Sequence, residues 1–480
     1  MVQNNFTEID IKRKVFCNRT LNLKSIRAIG YDMDYTLIHY KVTEWETAAY
    51  EHLQKKLHEK YNLPVENLVF DPSLVMQGLV IDIELGNLVK ANRFGFIKIA
   101  SHGTSMLTYE EQRKIYTRDL VDLSIDRYQF LNTKFSISEA CMYAQLVDMV
   151  DAGELPKGMS YARLYRIVRR TIHEAHIEGF LKGEILKTPE RFVQLDKEMP
   201  LALLDQKMAG KKLLLITNSE WSYTLNMMNY AVNPFLPDGM TWRELFDLVI
   251  VSSGKPAFFQ YKLPMFEIVD EHGLLKPVVG GLKDGGCYLG GCATMVEDYY
   301  GFDGNEFLYV GDHIFADVHV SKSILRWRTG LIVRELDEEL DALQKFYHKQ
   351  TALTALMSEK ATVERRLVWG RLQLQRLKAD KKKAGNQKKI SSLFKKSEEI
   401  RQRLEALDTT ISPLAEEFNT LMNKRWGLLM RVGNEKSHFA RQVEQYSDIY
   451  MSKVSNFLYT TPFAYLRAPH SNLPHDLRKG

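Results

Sequence analysis

Two aspartates two residues apart, Asp32 and Asp34, close the run Ser25-Ile-Arg-Ala-Ile-Gly-Tyr31 and are followed by Tyr35 and Thr36. Acids at such a point cap helices or sit in solvated turns as readily as they catalyse. A second pair follows Phe307-Leu-Tyr-Val310, in Gly311-Asp312-His-Ile-Phe-Ala-Asp317, where Asp317 could equally be a first-turn helix acid. Side by side, the four carboxylates offer the oxygen-rich donor set that a hard, octahedral cation such as Mg²⁺ requires. Thr217-Asn218-Ser219 ends a run that begins at Lys212; it supplies hydroxyl, amide and backbone donors suited to phosphate oxygens, or simply a loop turn. Lys255 stands before Pro256, just past Leu245 to Val251, and can hold a fixed positive charge near the same edge, although a lone lysine is usually solvated.

Each of these groups needs an element to place it. The runs ending at Tyr31, Thr217, Val251, Val310 and Val333 are short, apolar and bounded by turns, as buried strands are. Helical patterns lie between them, at Thr224 to Tyr230 and Ala316 to Ile324. Strands alternating with helices predict an α/β fold with a Rossmann-like parallel sheet, whose ligands collect at the carboxyl ends of the strands. The interval from about Trp45 to Asp205 breaks that alternation and holds both helical patterns and the strand-like segments starting at Gly78 and Gly95. It reads as a large inserted mixed α/β cap. From about Leu336 to Arg425 the chain turns to heptad-like Leu, Lys, Glu and Arg with almost no Gly or Pro, which predicts a helical, coiled-coil-like arm. Such an arm suits assembly into a homo-oligomer or a cover over the core, and both readings stay open. The expected organisation is core at 1–45, cap at 46–205, core again at 206–335, arm at 336–425, and an aromatic-rich 426–480 that packs back on the core.

The order of the motifs decides between their readings. An aspartate pair, a hydroxyl turn, a lysine, then Gly-Asp with another Asp five residues on, each after its own strand, resembles the four-motif series of the haloacid-dehalogenase superfamily. Tyr31-Asp-Met-Asp-Tyr-Thr-Leu37, Leu308-Tyr-Val-Gly-Asp-His-Ile-Phe-Ala-Asp317, Tyr288-Leu-Gly-Gly291 and Trp327-Arg-Thr329 are similar to the cytosolic purine 5′-nucleotidases that prefer inosine and guanosine monophosphates. The similarity runs from about Phe16 to about Arg334 and again from about Phe439 to His475.

That resemblance implies a Mg²⁺-dependent hydrolase of purine nucleoside 5′-monophosphates. Asp32 is its expected nucleophile, and Asp32, Asp312 and the backbone carbonyl of Asp34 its metal ligands. Asp34 is the expected acid and base, Thr217, Asn218 and Ser219 hold the phosphate, Lys255 neutralises charge, and Asp317 fixes Lys255 or metal-bound water. For the base, the resemblance points to Phe135 and Ser136 in one segment of the cap, and to Arg169, His173, His176 and Lys182 in another, with Phe135 and His176 sandwiching the ring. His173 stands where the family has an acidic base-reading residue. The family's basic effector site maps onto Asp122 and Ser323, which argues against activation by ATP-like nucleotides. The alternatives are a phosphatase of the same fold acting on another small monoester, and below it a non-catalytic interaction protein.

Bulk composition sets the frame. In 480 residues, 65 Lys and Arg face 60 Asp and Glu, so the net charge of +5 gives no field that would make nucleic acid the default partner. The basic stretch Lys378 to Lys396 reads as a solvated helix face or linker. Cys17, Cys141, Cys287 and Cys292 form no C-x-x-C spacing and suggest a reducing compartment. Met1 to Lys14 has no apolar signal-like region and no apolar run approaches the roughly 18 residues of a membrane span. The expectation is a cytoplasmic protein without membrane contact.

Overall fold

The computed structural model describes residues 9–177, 179–379 and 386–470; the side chains of residues 176, 177, 180 and 386 lie outside that description. Two compact units result, Met1–Asp337 with Leu429–Gly480, and Glu338–Leu428.

The first unit is built on a ten-stranded mixed sheet. Its centre is seven parallel strands in the spatial order Ile449–Met451, Arg328–Ile332, Phe307–Gly311, Ala28–Tyr31, Lys212–Ile216, Leu248–Val251 and Gly286–Gly290. Strands covered on both faces need apolar side chains at every position, and Ala28–Tyr31, Leu248–Val251 and Phe307–Gly311 are buried throughout. Leu214, Ile216, Ile250, Phe307, Tyr309 and Trp327 form one core cluster beneath the sheet, with Phe307 stacked on Trp327 at 4.7 Å. The α/β expectation therefore holds.

Three parts of the sheet depart from the sequence reading. The Leu245 to Val251 run becomes strand only at Leu248, because a capping box between Thr241 and Glu244 makes Trp242–Glu244 a helical turn. Gly286–Gly290 is a central strand although its glycines disguise it. Ile449–Met451 adds the seventh parallel strand from the far end of the chain and pairs in turn with Phe16–Cys17, antiparallel. Buried Asp448 anchors that junction, accepting from the Thr329 N–H at 2.9 Å and from Lys322 at 2.7 Å.

After the first strand come the helix Val42–Tyr61, a five-stranded antiparallel sheet running from Ser105–Met106 to Tyr128–Phe130, and the helices Ile137–Asp151 and Tyr161–Ile177. The short pair His39–Tyr40 and Val193–Gln194 closes this excursion.

The second unit is an antiparallel pair of helices, Leu336–Ala379 and Asn386–Asn419. The first, at 44 residues, is about 66 Å long. Phe346, Leu353, Val363, Leu407, Ile411 and Phe418 fill the seam between them, and Lys349–Glu417 and Arg403–Glu359 pair across it. Among the described residues no helix is long and apolar enough to cross a membrane.

Candidate active site

Four of the parallel strands end together, and their first residues beyond the sheet carry the chemistry. Asp32 follows Ala28–Tyr31, Thr217 follows Lys212–Ile216, Ser252 follows Leu248–Val251 and Asp312 follows Phe307–Gly311. Backbone bonds tie the turns to each other: Ser253 N–H donates to the Thr217 carbonyl at 3.0 Å and Ser252 N–H to that of Ser219 at 2.9 Å. A cavity of about 690 Å³ opens over them, lined by Asp32, Asp34, Thr217, Ser219, Lys255 and Asp312 among others.

At its floor Lys255 ion-pairs with Asp32 at 2.7 Å and with Asp317 at 2.8 Å, the lysine and Asp317 almost wholly buried. Its third partner is the Tyr309 hydroxyl at 2.9 Å, which in turn donates to the Ile216 carbonyl. Burial alone would lower the lysine pKa, but the Asp317 and Asp32 carboxylates outweigh it and hold Lys255 well above its ordinary value. Gly311 permits this packing, since a Cβ there would fall inside the Asp317 carboxylate.

Asp32, Asp312 and Asp317 each bring a ligand oxygen into one group spanning no more than 4.8 Å. Burial, then the nearby Asp317, pushes Asp32 up to about 6 in spite of Lys255. Burial, with Asp317 and Asp32 beside it, raises Asp312 well above the carboxylate range. One lysine does not neutralise three buried carboxylates, so the oxygen donors retain an unmet negative charge that suits a hard divalent cation. Asp317, expected to fix Lys255 or metal-bound water, pairs with Lys255 and also brings an oxygen into this group.

Asp34 stands apart from the cluster. Its Oδ1 accepts from the Tyr40 hydroxyl and its Oδ2 from Ser219 Oγ at 2.5 Å, while Tyr40 and Tyr223 hydroxyls meet at 2.9 Å. Burial raises its pKa against the opposing pull of Lys182, Ser219 and Tyr40. Two carboxylates two residues apart are thus held in different environments, one against a lysine and one among hydroxyls.

Residues 15–478 match the model of the 5′ nucleotidase family. The chain belongs to that family. As a member it is a phosphomonoester hydrolase. It is 26% identical over 467 residues to 5′-nucleotidase domain-containing protein 2 of Homo sapiens, spanning 92% of this chain and 81% of the relative. Among solved structures, a haloacid dehalogenase-like family hydrolase from Xanthomonas campestris shares 12% identity over 64% of this chain and 82% of its own, with a TM-score of 0.24. An archaeal β-phosphoglucomutase from Pyrococcus sp. strain ST 04 shares 12% identity over 64% of this chain and 87% of its own, with a TM-score of 0.29.

The remaining expected residues of this 5′ nucleotidase family member divide into groups. Phe135, His173 and Lys182 line the cavity that holds Asp32. Phe135 also packs edge-on against Tyr35 at 4.6 Å and Trp45 at 5.5 Å, so it belongs to the core as well as to the cavity wall. Lys182 donates to Ser219 Oγ at 3.0 Å and to Glu220 at 2.7 Å. Ser136 and Arg169 instead line a neighbouring cavity of about 490 Å³ that shares Thr133 and His313 with the first, and Arg169 donates to Gln129. The His176 side chain lies outside the described residues. Asn218 bonds both faces of its amide to the backbone of Lys255, at 2.7 and 3.1 Å, which leaves one of its two N–H donors for a ligand. Asp122 accepts from the N–H and the hydroxyl of Ser124, and Ser323 donates to the Val320 carbonyl.

Tyr40, Tyr223 and Tyr309 are the participants that sequence reasoning missed. Buried tyrosines in apolar runs carry no mark that separates a hydroxyl aimed at a carboxylate from one that fills a core.

Proposed function

We propose that this protein hydrolyses purine nucleoside 5′-monophosphates, with inosine and guanosine monophosphates preferred, in a Mg²⁺-dependent reaction through an aspartyl-phosphate on Asp32. The observation that carries the reading is the divergence of the aspartate pair: Asp32 faces Lys255 at 2.7 Å, while Asp34 is held by Tyr40 and Ser219. Asp32 attacks the phosphorus as the ester bond to the 5′-oxygen breaks, and Asp34 gives its proton to that leaving oxygen. Water then attacks the phosphorus of the aspartyl-phosphate; Asp34 takes the proton, inorganic phosphate leaves and the Asp32 carboxylate is restored. Lys255 offsets the negative charge of the transferring group, and Ser219 with Thr217 and the remaining Asn218 donor orient its oxygens.

Asp32, Asp312 and the backbone carbonyl of Asp34 would hold the magnesium ion, with the Asp317 oxygen near enough to share the site. When bound, the ion screens the repulsion between carboxylate and phosphate. The purine assignment rests on the family resemblance of the cap and on the aromatic and basic wall of the cavity, Phe135, His173 and Lys182. Its volume suits a nucleotide-sized ligand.

Release of inorganic phosphate from a panel of nucleoside monophosphates and sugar phosphates, with Mg²⁺ and with chelator, tests the reading. Turnover of IMP and GMP above CMP and UMP, lost with chelator, is expected. A sugar phosphate as the best substrate would overturn the base assignment, and chelator-resistant turnover the metal.

A further inference from the structure

The two-residue strand His39–Tyr40 sends its side chains to opposite faces, as strands do. Tyr40 reaches Asp34. His39 reaches a separate cavity of about 340 Å³, lined also by Arg13, Gln194, Arg334 and Lys453. His39 is only 2% exposed, yet among the described residues neither ring nitrogen has a hydrogen-bond partner. Buried imidazole nitrogens are costly to leave unpaired, and the cost falls when a ligand supplies the partner.

The charges around it are unbalanced in one direction. Arg13, Lys197, Arg334 and Lys453 line the cavity against only two carboxylates, Asp196 and Glu198. Both acids are already engaged: Asp196 accepts from Ser455 at 2.6 Å, and Glu198 takes Arg13 and, at 2.7 Å, the Tyr459 hydroxyl. Lys453 is held below its ordinary pKa by burial and by Arg13, so its ammonium lacks full compensation. Of the four cations Arg13 is paired with Glu198 and Arg334 with Asp337 at 3.4 Å, while Lys197 and Lys453 add positive charge beyond those pairs. Together with an imidazole donor around a small concavity they make a recognition surface for a compact, multiply charged oxyanion.

We propose that this cavity is a binding site, distinct from the one at Asp32, for a phosphate group, either free or carried by a small ester. Its volume is half that of the catalytic cavity and excludes nothing the size of phosphate or glycerol phosphate. It lies within one compact unit, and its residues take no part in the proposed hydrolysis.

Calorimetric titration of the full chain with inorganic phosphate in chelator tests the assignment. Without metal the three crowded aspartates repel phosphate from the catalytic cavity, so the heat reports the basic one. Saturable one-to-one binding with a dissociation constant of about 1 mM or tighter is expected. Lys453→Gln and Arg334→Gln should each weaken it by about tenfold while leaving phosphomonoester turnover unchanged. His39→Phe, which keeps the fold by replacing an unpaired ring with an apolar one, should weaken it severalfold. Glycerol 3-phosphate run alongside separates the sources: equal or tighter binding assigns an ester, weaker binding the free anion. Absence of saturable binding, or binding that Lys453→Gln and Arg334→Gln leave intact, overturns the proposal.

Discussion

Removing one carboxylate from the catalytic cluster should stabilise the metal-free protein while destroying its response to metal. Asp32 rises from 3.8 to about 6 through burial and then Asp317. A group with a raised folded pKa contributes stability that is complete below its unfolded pKa and is lost as pH rises through the folded one. In chelator, stability should therefore fall between about pH 4 and pH 7, by about 3 kcal/mol from Asp32 alone. Asp312 is likewise raised well above the ordinary carboxylate range, by burial and then by Asp317 and Asp32, so its charged form also costs stability as pH rises. Asp312→Asn deletes that charge from a site where, among the described residues, Lys255 is the one cation within ion-pairing distance of Asp32 and Asp317. The variant should be more stable than the parent in chelator at pH 8 by about 1–3 kcal/mol, the usual range for relieving a buried unpaired charge. Urea denaturation at pH 5 and pH 8, with chelator and with Mg²⁺, reads this directly. The gap should shrink at pH 5, below the raised pKa of Asp32, and reverse in Mg²⁺, where the parent gains more by binding. A variant less stable than the parent in chelator at pH 8 would show that the Asp312 charge is well satisfied, and the cation argument would collapse.

Other substitutions probe the roles separately. Asp32→Asn should abolish turnover without loss of folding, since the amide is nearly isosteric; substantial phosphate release by the folded variant would remove the covalent assignment. Tyr40→Phe deletes a donor that favours ionised Asp34 and so weakens it as an acid. It should slow nucleotide hydrolysis by about tenfold and p-nitrophenyl phosphate, whose leaving group needs little protonation, much less. Equal slowing of both would make the hydroxyl merely structural. Phe135→Ala should cost about 5- to 150-fold in kcat/KM on purine monophosphates if the ring stacks on the base. Because Phe135 also packs on Tyr35, which directly follows Asp34, a matching loss on p-nitrophenyl phosphate would assign it to the core instead.

Much of the site could be read directly because its signals are local. A fully buried parallel strand must be apolar along its length, so the runs before Asp32, Thr217 and Asp312 announce both the strand and the residue that emerges from it. Gly286–Gly290 escaped because glycine weakens a strand signal, and Ile449–Met451 because its neighbours Arg328–Ile332 and Phe16–Cys17 are remote in sequence. The family resemblance groups Ser136 and Arg169 with Phe135 and His173, but in the structure Ser136 and Arg169 line the adjoining cavity.

The sequence by itself determined the parallel sheet, the helical arm and the chemical types at the strand ends, since periodicity and residue type act over a few positions. Only the tertiary structure decided what those groups feel. It brought Lys255 between Asp32 and Asp317, gave Asp34 to two hydroxyls, and turned His39 away from Tyr40 into a basic cavity. Charge, burial and hydrogen bonding depend on neighbours tens to hundreds of residues away, and it is packing that selects them.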